Sequence, residues 1–583
     1  MDLKGNPFYL EETQVNWVQE SLQKLTLEQK VGQLFCVMGG GYRIEELREM
    51  VEKKGVGAVL YRPAPSEEIR RNYEVLDEAA PVPLLKAANL EEGGAGAISD
   101  GTLFGWPMMV GATDSPEMVE KFAKVCAVEG KSVGINWTFS PVSDLDLNYL
   151  NPITNIRSYG SDFERVMKFT DIYMQTVQQC GVAACAKHFP GDGVDFRDHH
   201  LHPTYNSLSA EEWYGSYGKV YENMIGHGLL SIMAGHIVQP DVARRKNPSL
   251  NFEDCLPASL SREMLTGVLR EEFGFNGVIT TDATIMGGYC MSMPRREAIP
   301  ASIMAGSDML VFNTDFSEDY RYMMEALEDG KLTMERLDEA VTRILALKAK
   351  VCGINCGNAK RVEKAEHFGA AESAETTEYF EAAESAETAE SAETVESGEL
   401  PAALWHRECA EKSATLVKDT AYVLPVKKER YPKVRLVLLG EDTISDGSVT
   451  EIAKEYLEKE GFAVEIYNPY EDELHGSSKL PEDRLTLYLA NMQTASNQTT
   501  VRIEWCKKHA LDIPRFVNEE AAVFVSFANP YHLQDIPRIK TYINAYTATR
   551  TTICTTLGKI LGKSEFVGVS PVDAFCGLPD TRL

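Results

Sequence analysis

Short apolar runs alternate with longer segments of helical periodicity between residues 30 and 315. Apolar residues recur at helical spacing in the intervening stretches, for example from Ser115 to Gly130 and from Ser261 to Phe273. The runs that resemble buried strands are Leu34–Met38, Val56–Tyr61, Pro83–Asn89, Gly134–Phe139, Ala183–Lys187, Leu229–Ala234, Gly277–Thr281 and Asp308–Phe312. Repeated strand-then-helix units predict a parallel α/β sheet, and eight strands are enough to close a (β/α)8 barrel. An open doubly wound sheet produces the same local signals and stays an alternative here.

A second series of strand-like runs follows residue 405. Its members are Val434–Gly440, Phe462–Tyr467, Ala521–Phe527 and Thr541–Tyr546, with helical stretches such as Ile452–Glu460 between them. The sequence therefore predicts an α/β protein in which a (β/α)8 TIM-type barrel precedes a smaller α/β sandwich domain. We place the barrel domain at 1–350, a linker at 351–405 and the C-terminal domain at 406–583.

The predicted linker contains an acidic low-complexity repeat. From Glu372 to Glu399 a glutamate stands at every third position, and no lysine or arginine interrupts the series. A period of three drifts around a helix of 3.6 residues per turn, so the repeat has no apolar face to bury. It is expected to be disordered or loosely helical and solvated. An acidic interaction tail and an insertion tolerated between domains are the two interpretations of its role.

Composition limits which partners the protein is expected to bind and where in the cell it is expected to be. The formal net charge of −29 disfavours binding to nucleic acid or to anionic membrane surfaces. The twelve cysteines show no disulfide framework, the N-terminus lacks an apolar secretory segment, and no apolar run is long enough to span a bilayer. A cytoplasmic protein is expected. Cys352 and Cys356 lack a second pair that would complete a zinc site. The oligomeric state, a homodimer included, is left open.

The densest group of ionisable residues lies directly after the fifth predicted strand. We call the segment from Lys187 to His202 the histidine loop; it contains three aspartates, four histidines, a lysine and an arginine. Parallel α/β sheets hold their active sites at the carboxyl ends of the strands. Chemistry is therefore favoured over a purely structural polar cluster.

A lone carboxylate ends the seventh predicted strand. The apolar run from Gly274 reaches Asp282, which would face the same mouth as the histidine loop. Retaining glycoside hydrolysis pairs a carboxylate nucleophile with a separate proton donor. A helix N-cap is the structural alternative for this residue.

The histidine loop offers a proton donor. Asp198 and His200 are separated by one residue, which lets the carboxylate accept the Nδ1 proton and direct Nε2 toward a substrate. Histidine titrates near neutrality and can serve as both acid and base. The spacing excludes neither His199 nor His202 from this role. It also leaves open a metal site built from Asp198, His200, His202 and His236.

Several motifs now carry a resemblance to a known family. In chain order they are Glu92-Gly93-Gly94, Asn136 to Val142 with Asp144, Asn155 to Gly160, Lys187 to Gly191, Met233 to His236, Pro257 to Ser261, Asp282, and Ala305 to Asp308. Together they resemble glycoside hydrolase family 3, most closely its β-N-acetylglucosaminidase branch. The resemblance implies a (β/α)8 catalytic domain, a covalent glycosyl-enzyme on Asp282 and an acid/base dyad of Asp198 and His200 on a mobile loop. Family members similar to β-glucosidases usually take the acid/base from a glutamate of the second domain instead.

The resemblance also implies which residues bind the sugar. The matching positions are Arg157, Lys187, His188, Asn89 and Glu92. Fixed cationic donors suit a neutral pyranose, whose hydroxyls accept hydrogen bonds. An ion pair of Arg157 with Asp162 or Asp144 is the structural alternative. No metal and no other cofactor is expected.

Four positions depart from the pattern of the branch. Leu90 stands where an aspartate before Gln-Glu-Gly-Gly is common, and the segment Ala95 to Ile98 lacks an expected arginine. Asp192 follows the Lys-His-Phe-Pro-Gly motif where a histidine or an aromatic ring is frequent, and His199 replaces the middle serine of the dyad. Substrate preference is therefore expected to differ from the branch norm.

These observations predict a retaining exo-β-N-acetylglucosaminidase, that is, a β-N-acetylhexosaminidase. Its partner would be a small soluble glycan, such as a cell-wall fragment or a chitooligosaccharide. A β-glucosidase or β-xylosidase is the main alternative. Phosphorolysis is a variant of the same chemistry, because a neutral histidine does not repel a phosphate acceptor. Two further alternatives are a glycan-binding protein without catalytic activity and a metal hydrolase, which a chelator would inactivate.

Overall fold

The computed structural model describes residues 1–354, 401–468, 480–493 and 496–583. The acidic repeat from Glu372 to Glu399 lies outside the described residues, and so does Cys356. The predicted linker and its boundaries stay predictions. The described chain divides into two compact units. The first contains the described residues of Met1–Phe104, Glu120–Leu145 and Val166–Ala402, and the second those of Gly105–Val119, Asp146–Arg165 and Ala403–Leu583.

The first unit is built on a closed barrel of eight parallel strands. They are β1 Phe35–Met38, β2 Ala58–Leu60, β3 Leu85–Ala88, β4 Trp137–Thr138, β5 Ala183–Phe189, β6 Ser231–Ala234, β7 Val278–Ala283 and β8 Met309–Val311. Neighbours in sequence are neighbours in the barrel, and β8 closes on β1 with Leu310 beside Phe35. The predicted barrel is therefore confirmed, and the open sheet is excluded.

Helices connect successive strands, as the alternating pattern predicts. The helices before the acidic repeat are Glu12–Lys24, Leu27–Gln33, Ile44–Glu49, Ser66–Ala79, Pro107–Ala112, Pro116–Ser132, Phe163–Gln179, Ala210–Trp213, Lys219–Gly226, Pro240–Lys246, Gly287–Cys290, Arg295–Ala305, Phe316–Glu328 and Met334–Val351, with π-helical segments at Met50–Lys54, Tyr214–Gly218 and Glu263–Glu272. The last helix begins where the Thr333 side chain accepts a hydrogen bond from the Arg336 backbone N–H. Among the described residues, no helix is long and apolar enough to cross a bilayer.

The barrel strands are apolar because both of their faces are covered. Every residue of β5 and of β7 is buried. Trp137 of β4 packs edge-on against Phe139, with 4.8 Å between the ring centroids, and its indole N–H donates to the Ser231 hydroxyl at 2.8 Å. The indole N–H thus has a partner inside the barrel, and ionisable side chains collect where the strands end.

The second unit contains a six-stranded mixed sheet. Its strands are β9 Thr415–Asp419, β10 Lys433–Gly440, β11 Ala463–Ile466, β12 Arg484–Asn491, β13 Ala521–Ser526 and β14 Thr541–Asn544, in the order β9-β14-β13-β12-β10-β11. Only β9 runs antiparallel to its neighbour. The helices after the repeat are Pro401–Ser413, Val449–Lys459 and Arg550–Ile560. Four of the six strands were predicted, whereas β9 and β12 were missed.

Two segments of the N-terminal half belong to this second unit. The Tyr531 hydroxyl donates to Asp146 Oδ2 at 2.6 Å, and the Asn155 amide donates to Asn529 Oδ1 at 3.2 Å. Burial raises the pKa of Asp146 to about 6, although the hydroxyl bonds from Thr154 and Tyr531 oppose that rise. A chain segment between β4 and β5 is therefore part of the second unit, which the linear domain prediction did not anticipate.

A buried ion cluster stabilises the start of β8, at the amino ends of the barrel strands. Asp308 is fully buried and accepts hydrogen bonds from the side chains of Arg270 at 2.6 Å, Arg336 at 2.8 Å and Arg343 at 3.4 Å. Burial raises the pKa of Asp308, but the three guanidinium groups outweigh burial and hold that pKa below its ordinary value. The stabilisation is present above the ordinary pKa of an aspartate and is lost as the pH falls through the folded-state pKa.

Asp308→Asn is expected to lower the free energy of unfolding at pH 7 by about 3–5 kcal/mol, because it removes the buried carboxylate that Arg270, Arg336 and Arg343 share. Glu339 still pairs with Arg336 and Arg343 in the variant. Denaturant unfolding measures this loss. The exposed Asp329→Asn is the matched control and should change the free energy of unfolding by less than about 1 kcal/mol. Equal effects of the two variants would contradict the role given to the cluster.

Candidate active site

The candidate nucleophile lies at the carboxyl end of β7. Asp282 is 9 % exposed, and its Oδ1 accepts a hydrogen bond from the Ala283 backbone N–H at 2.7 Å. Its Oδ2 has no hydrogen-bond partner among the described residues. Such an oxygen keeps a lone pair available, as a nucleophile requires. The predicted N-cap role of Asp282 has no support, because the oxygen that accepts a bond does so from the adjacent residue.

The histidine loop begins within β5 and brings an oriented imidazole to Asp282. The ring of His188 donates from Nδ1 to Asp144 Oδ2 at 2.7 Å, and its backbone N–H donates to Asp144 Oδ1 at 3.0 Å. This leaves His188 Nε2 facing Asp282 Oδ2 at 3.9 Å. Asp144, which follows β4, thus fixes the tautomer and the direction of the ring.

The predicted dyad has the geometry that its spacing suggested. Asp198 is buried, and its Oδ1 lies 2.7 Å from both the ring Nδ1 and the backbone nitrogen of His200. The His200 side chain keeps 21 % of its surface exposed, so its ring is open to an incoming leaving group. The catalytic role of the pair stays a prediction.

The loop that carries the dyad is attached to the turn after β7. The backbone N–H of Gly287 donates to the His200 carbonyl at 2.7 Å, and that of Gly288 donates to the His199 carbonyl at 3.2 Å. A Cβ atom on Gly287 would lie 2.1 Å from the Leu201 carbonyl oxygen. Glycine is therefore required for this approach, which places the dyad segment beside the strand that ends at Asp282.

A further imidazole lies at the centre of the site. His199 is fully buried; its Nε2 lies 3.9 Å from Asp282 Oδ2 and 3.7 Å from Asp192 Oδ2. Ligand atoms of His188, His199 and Asp282 all lie within 4.8 Å of one another, as the donors of a metal site would. No other such group exists among the described residues. The alternative metal site of Asp198, His200, His202 and His236 is therefore wrong as a ligand set.

The imidazoles around Asp282 favour its ionised form. Burial raises the pKa of this carboxyl, but the interactions with His188, His199, His236 and His200 outweigh burial and hold the pKa well below its ordinary value. Burial also lowers the pKa of His236 to about 4 and that of His199 well below its ordinary value. The Asp282 carboxyl is thus ionised at pH 7, where burial keeps His199 and His236 in their neutral forms.

Lys187 is held at the same mouth by residues that follow β3. Its ammonium group lies 2.5 Å from Glu91 Oε1 and donates to Asn89 Oδ1 at 3.2 Å. Lys187 and Glu91 are both buried. Burial, with help from the neighbouring Glu91, raises the pKa of Glu92 to about 7. The structure thus brings Asn89 and Glu91, which follow β3, together with Lys187, the first residue of the histidine loop.

A carboxylate at the end of β7, the Asp198–His200 pair and buried polar side chains from three further strand ends lie where (β/α)8 barrels hold their active sites. The model of the glycosyl hydrolase family 3 N-terminal domain matches residues 26–347. This chain belongs to glycoside hydrolase family 3. The match spans the barrel and every site residue of the first unit described above.

A family 3 relative is similar over the whole chain. The β-N-acetylglucosaminidase/β-glucosidase of Cellulomonas fimi is 39 % identical over 592 aligned residues, covering 100 % of both chains. A β-hexosaminidase of Pseudomonas aeruginosa PAO1 is 28 % identical and covers 52 % of this chain and 88 % of its own. The family prediction and the prediction of a glycoside hydrolase-class enzyme are confirmed.

Two solved structures show the same architecture. The β-glucoside phosphorylase BglX superposes with a TM-score of 0.87 at 40 % identity and covers 100 % of this chain and 99 % of its own. A family 3 β-N-acetylglucosaminidase of Paenibacillus sp. FPU-7 superposes with a TM-score of 0.72 at 22 % identity, covering 95 % and 100 %. The second likeness bears on the fold alone.

Arg157, a predicted sugar-binding residue, belongs to the second unit, where its Nη1 donates to the Ile153 carbonyl at 3.5 Å. Its sugar-binding role stays a prediction. His236 is fully buried, with Nδ1 2.8 Å from the Ser259 hydroxyl and Nε2 3.0 Å from the Ala283 carbonyl. These contacts are those of a buried structural histidine.

Three residues of the site were missed or given no role by the sequence reasoning. Glu91 pairs with Lys187, Asp144 orients His188, and His199 lies against Asp282 rather than merely flanking the dyad. Glu91 and Asp144 could have been identified from their positions in the sequence, because each follows the end of a predicted strand.

Proposed function

We propose that the protein is a retaining exo-acting β-glycosidase that forms a covalent glycosyl-enzyme on Asp282 and uses Asp198 and His200 as its acid/base dyad. The observation that carries the proposal is the arrangement at the end of β7. There Asp282 presents one oxygen without a hydrogen bond, and the turn that follows it holds the dyad segment through Gly287 and Gly288.

In this scheme the Asp282 carboxylate attacks the anomeric carbon, while His200 Nε2–H gives its proton to the departing aglycone oxygen. The bond between C1 and the Asp282 carboxylate forms as the glycosidic bond breaks. Neutral His200, held by Asp198, then takes a proton from water as the water oxygen attacks C1 and Asp282 leaves. Asp198 stabilises the imidazolium at each proton transfer by accepting from Nδ1.

The proposed substrates carry a terminal β-linked N-acetylglucosamine on a small soluble glycan, and β-glucosides are taken as well. The similar proteins of Cellulomonas fimi and Pseudomonas aeruginosa are named for β-N-acetylglucosaminidase, β-glucosidase and β-hexosaminidase activities. The replacement of a common branch aspartate by Leu90, which is fully buried, supports a sugar preference broader than N-acetylglucosamine alone.

Phosphorolysis is a second candidate for the second half of the reaction. A carboxylate acid/base is negatively charged when it must act as a base, whereas the imidazole of His200 is neutral at that step and does not repel an anion. The similarity to a β-glucoside phosphorylase of nearly equal length supports the same idea. Phosphate would attack C1 in place of water and leave as the glycosyl phosphate.

Nitrophenyl β-glycosides of N-acetylglucosamine, glucose and xylose, assayed side by side with and without phosphate, test the proposal. We expect the N-acetylglucosaminide and the glucoside to be turned over in preference to the xyloside. Phosphorolysis predicts a sugar 1-phosphate product and a rate that rises with phosphate concentration, whereas hydrolysis predicts free sugar only. Absence of turnover with all three sugars under both conditions would contradict the proposed function.

A further inference from the structure

His199 is a buried imidazole whose hydrogen-bonding capacity is unused. Its side chain has no exposed surface, and neither ring nitrogen has a hydrogen-bond partner among the described residues. Asp282 Oδ2 lies 3.9 Å from His199 Nε2 and has no partner there either. Buried polar atoms are normally paired, so two such groups side by side indicate a place for a third species. Both groups can present a lone pair to it, as metal ligands do.

His188 presents a third lone pair to the same place. Its Nδ1 donates to Asp144 Oδ2 at 2.7 Å, so the neutral ring keeps its lone pair on Nε2, 3.9 Å from Asp282 Oδ2. A histidine that binds a metal usually donates its other ring N–H to a carboxylate in this way, which fixes the tautomer and makes the ligand nitrogen more basic. With the proton of His199 on Nδ1, two imidazole nitrogens and one carboxylate oxygen face one another.

The distances fit a metal ion better than direct contact between the side chains. Gaps of 3.9 Å are too long for hydrogen bonds. Ligand atoms of the three side chains all lie within 4.8 Å of one another. Three atoms at these separations surround a point about 2.5 Å from each, and small side-chain rotations bring them to the roughly 2.0–2.2 Å of zinc bonds to nitrogen and oxygen.

Charge and ligand type select the ion. The Asp192 carboxylate lies 3.7 Å from His199 Nε2 and adds a second negative charge beside that of Asp282. A divalent cation is therefore attracted by two carboxylates, whereas an anion is repelled by both. Imidazole nitrogens suit zinc, nickel and copper, while magnesium and calcium prefer oxygen ligands. Burial keeps His199 neutral at pH 7, so no proton competes with the ion for its lone pair.

We propose that His188, His199 and Asp282 form a binding site for a zinc-type divalent ion, and that the bound ion inhibits the enzyme reversibly. The inhibition rests on the proposed function, because the ion occupies the carboxylate that would attack C1, whereas the binding of the ion does not. The ion is an inhibitor and not a cofactor. A chelator therefore restores activity here, whereas it would abolish the activity of a metal hydrolase.

A small ion can enter this group beside Asp282. The Asp282 side chain is 13 % exposed, compared with 4 % for His188 and none for His199. Zinc sites closed by their own ligands are common in proteins, because the ligands surround the bound ion. The low exposure of His199 is therefore what such a site requires.

Direct binding measurements on the metal-free, full-length protein test the site. Zinc titrated in a calorimeter should show one ion per chain whose binding depends on His199. Cobalt(II), which occupies zinc sites, should show the visible absorption of an ion bound by nitrogen. His199→Ser should weaken both bindings by about 100-fold or more, because partners outside the ligand set alone contribute roughly 10- to 100-fold to metal affinity.

His202→Ser is the matched control, because it makes the same substitution in the same loop at a residue outside the group around Asp282. It should bind zinc and cobalt(II) as the wild type does. Absence of stoichiometric binding in the wild type, the result expected if only a water molecule occupies the group, would overturn the inference. Equal affinity of His199→Ser and the wild type would do so as well. Thermal melting of each variant separates these results from misfolding.

Turnover and trapping keep the two proposals distinguishable. Saturating zinc should abolish both the turnover of nitrophenyl β-glycosides and the labelling of Asp282 by a slow 2-fluoro sugar, and a chelator should restore both. If zinc does not bind while the sugar labels Asp282, the proposed function stands and the ion site is wrong. If zinc binds through His199 and turnover is unchanged, the ion site stands and the role of Asp282 in the proposed function fails.

Discussion

Replacing Asp282 with alanine is expected to lower kcat for nitrophenyl β-glycosides by about 10⁴-fold or more, because no other group can form the glycosyl-enzyme. The fold should survive. Asp282 accepts a hydrogen bond from the adjacent backbone N–H, and its other oxygen has no partner among the described residues. Steady-state assays and thermal melting of the purified variant measure the two effects.

Azide provides a sharper readout for the same variant. The alanine leaves space below C1 in which azide can attack, so Asp282→Ala with an activated β-glycoside should form the α-glycosyl azide as the aglycone leaves. The exposed Asp329→Ala is the control and should keep wild-type turnover. Wild-type activity in a folded Asp282→Ala protein would remove this residue from the mechanism. Loss of turnover without unfolding would exclude a silent glycan-binding protein.

His200→Ala is expected to lower kcat/KM about 10²- to 10⁴-fold for substrates with a sugar aglycone, whose leaving oxygen must be protonated. For a dinitrophenyl glycoside, whose leaving group needs no proton, the loss in kcat/KM should be far smaller. This contrast follows from the position of His200, which is oriented by Asp198 at 2.7 Å and is 21 % exposed at the mouth.

The matched control is His202→Ala, the same change two residues further along the histidine loop. It should reduce kcat/KM for both kinds of substrate by no more than a few-fold. An equal loss in His200→Ala for the sugar and the dinitrophenyl aglycones would show that His200 does not act as the acid. It would then be a positioning residue.

Much of the barrel could be predicted because strands covered on both faces leave apolar runs in the sequence. Each of the eight predicted runs overlaps a barrel strand, but Ala183–Lys187 and Gly277–Thr281 end two residues before their strands do, and Gly134–Phe139 contributes only Trp137–Thr138. The central strand Arg484–Asn491 was missed, since Thr486 and Tyr488 alternate with leucines and break the apolar run. The edge strand Thr415–Asp419 carries two charged residues and runs antiparallel, outside the strand-then-helix pattern.

The position of the site could be predicted, whereas its internal pairing could not. Parallel strands bring their carboxyl ends to one mouth, so Asp282 and the histidine loop were expected to meet there. No spacing rule shows that Asp144 orients His188, 44 residues further on, or that Glu91 pairs with Lys187. The loop geometry decides which of His199, His200 and His202 faces the Asp282 carboxylate. The sequence alone therefore assigned no role to His199.

Peptide mapping after trapping is the most direct test of the central claim, that Asp282 forms the covalent intermediate. The protein is incubated with an activated 2-deoxy-2-fluoro β-glycoside and digested, and the labelled peptide is sequenced by mass spectrometry. The account predicts a single label on Asp282, absent from Asp282→Ala. A label on another residue of the folded wild-type protein, or turnover of the fluoro sugar through an inverted product without any label, would contradict it.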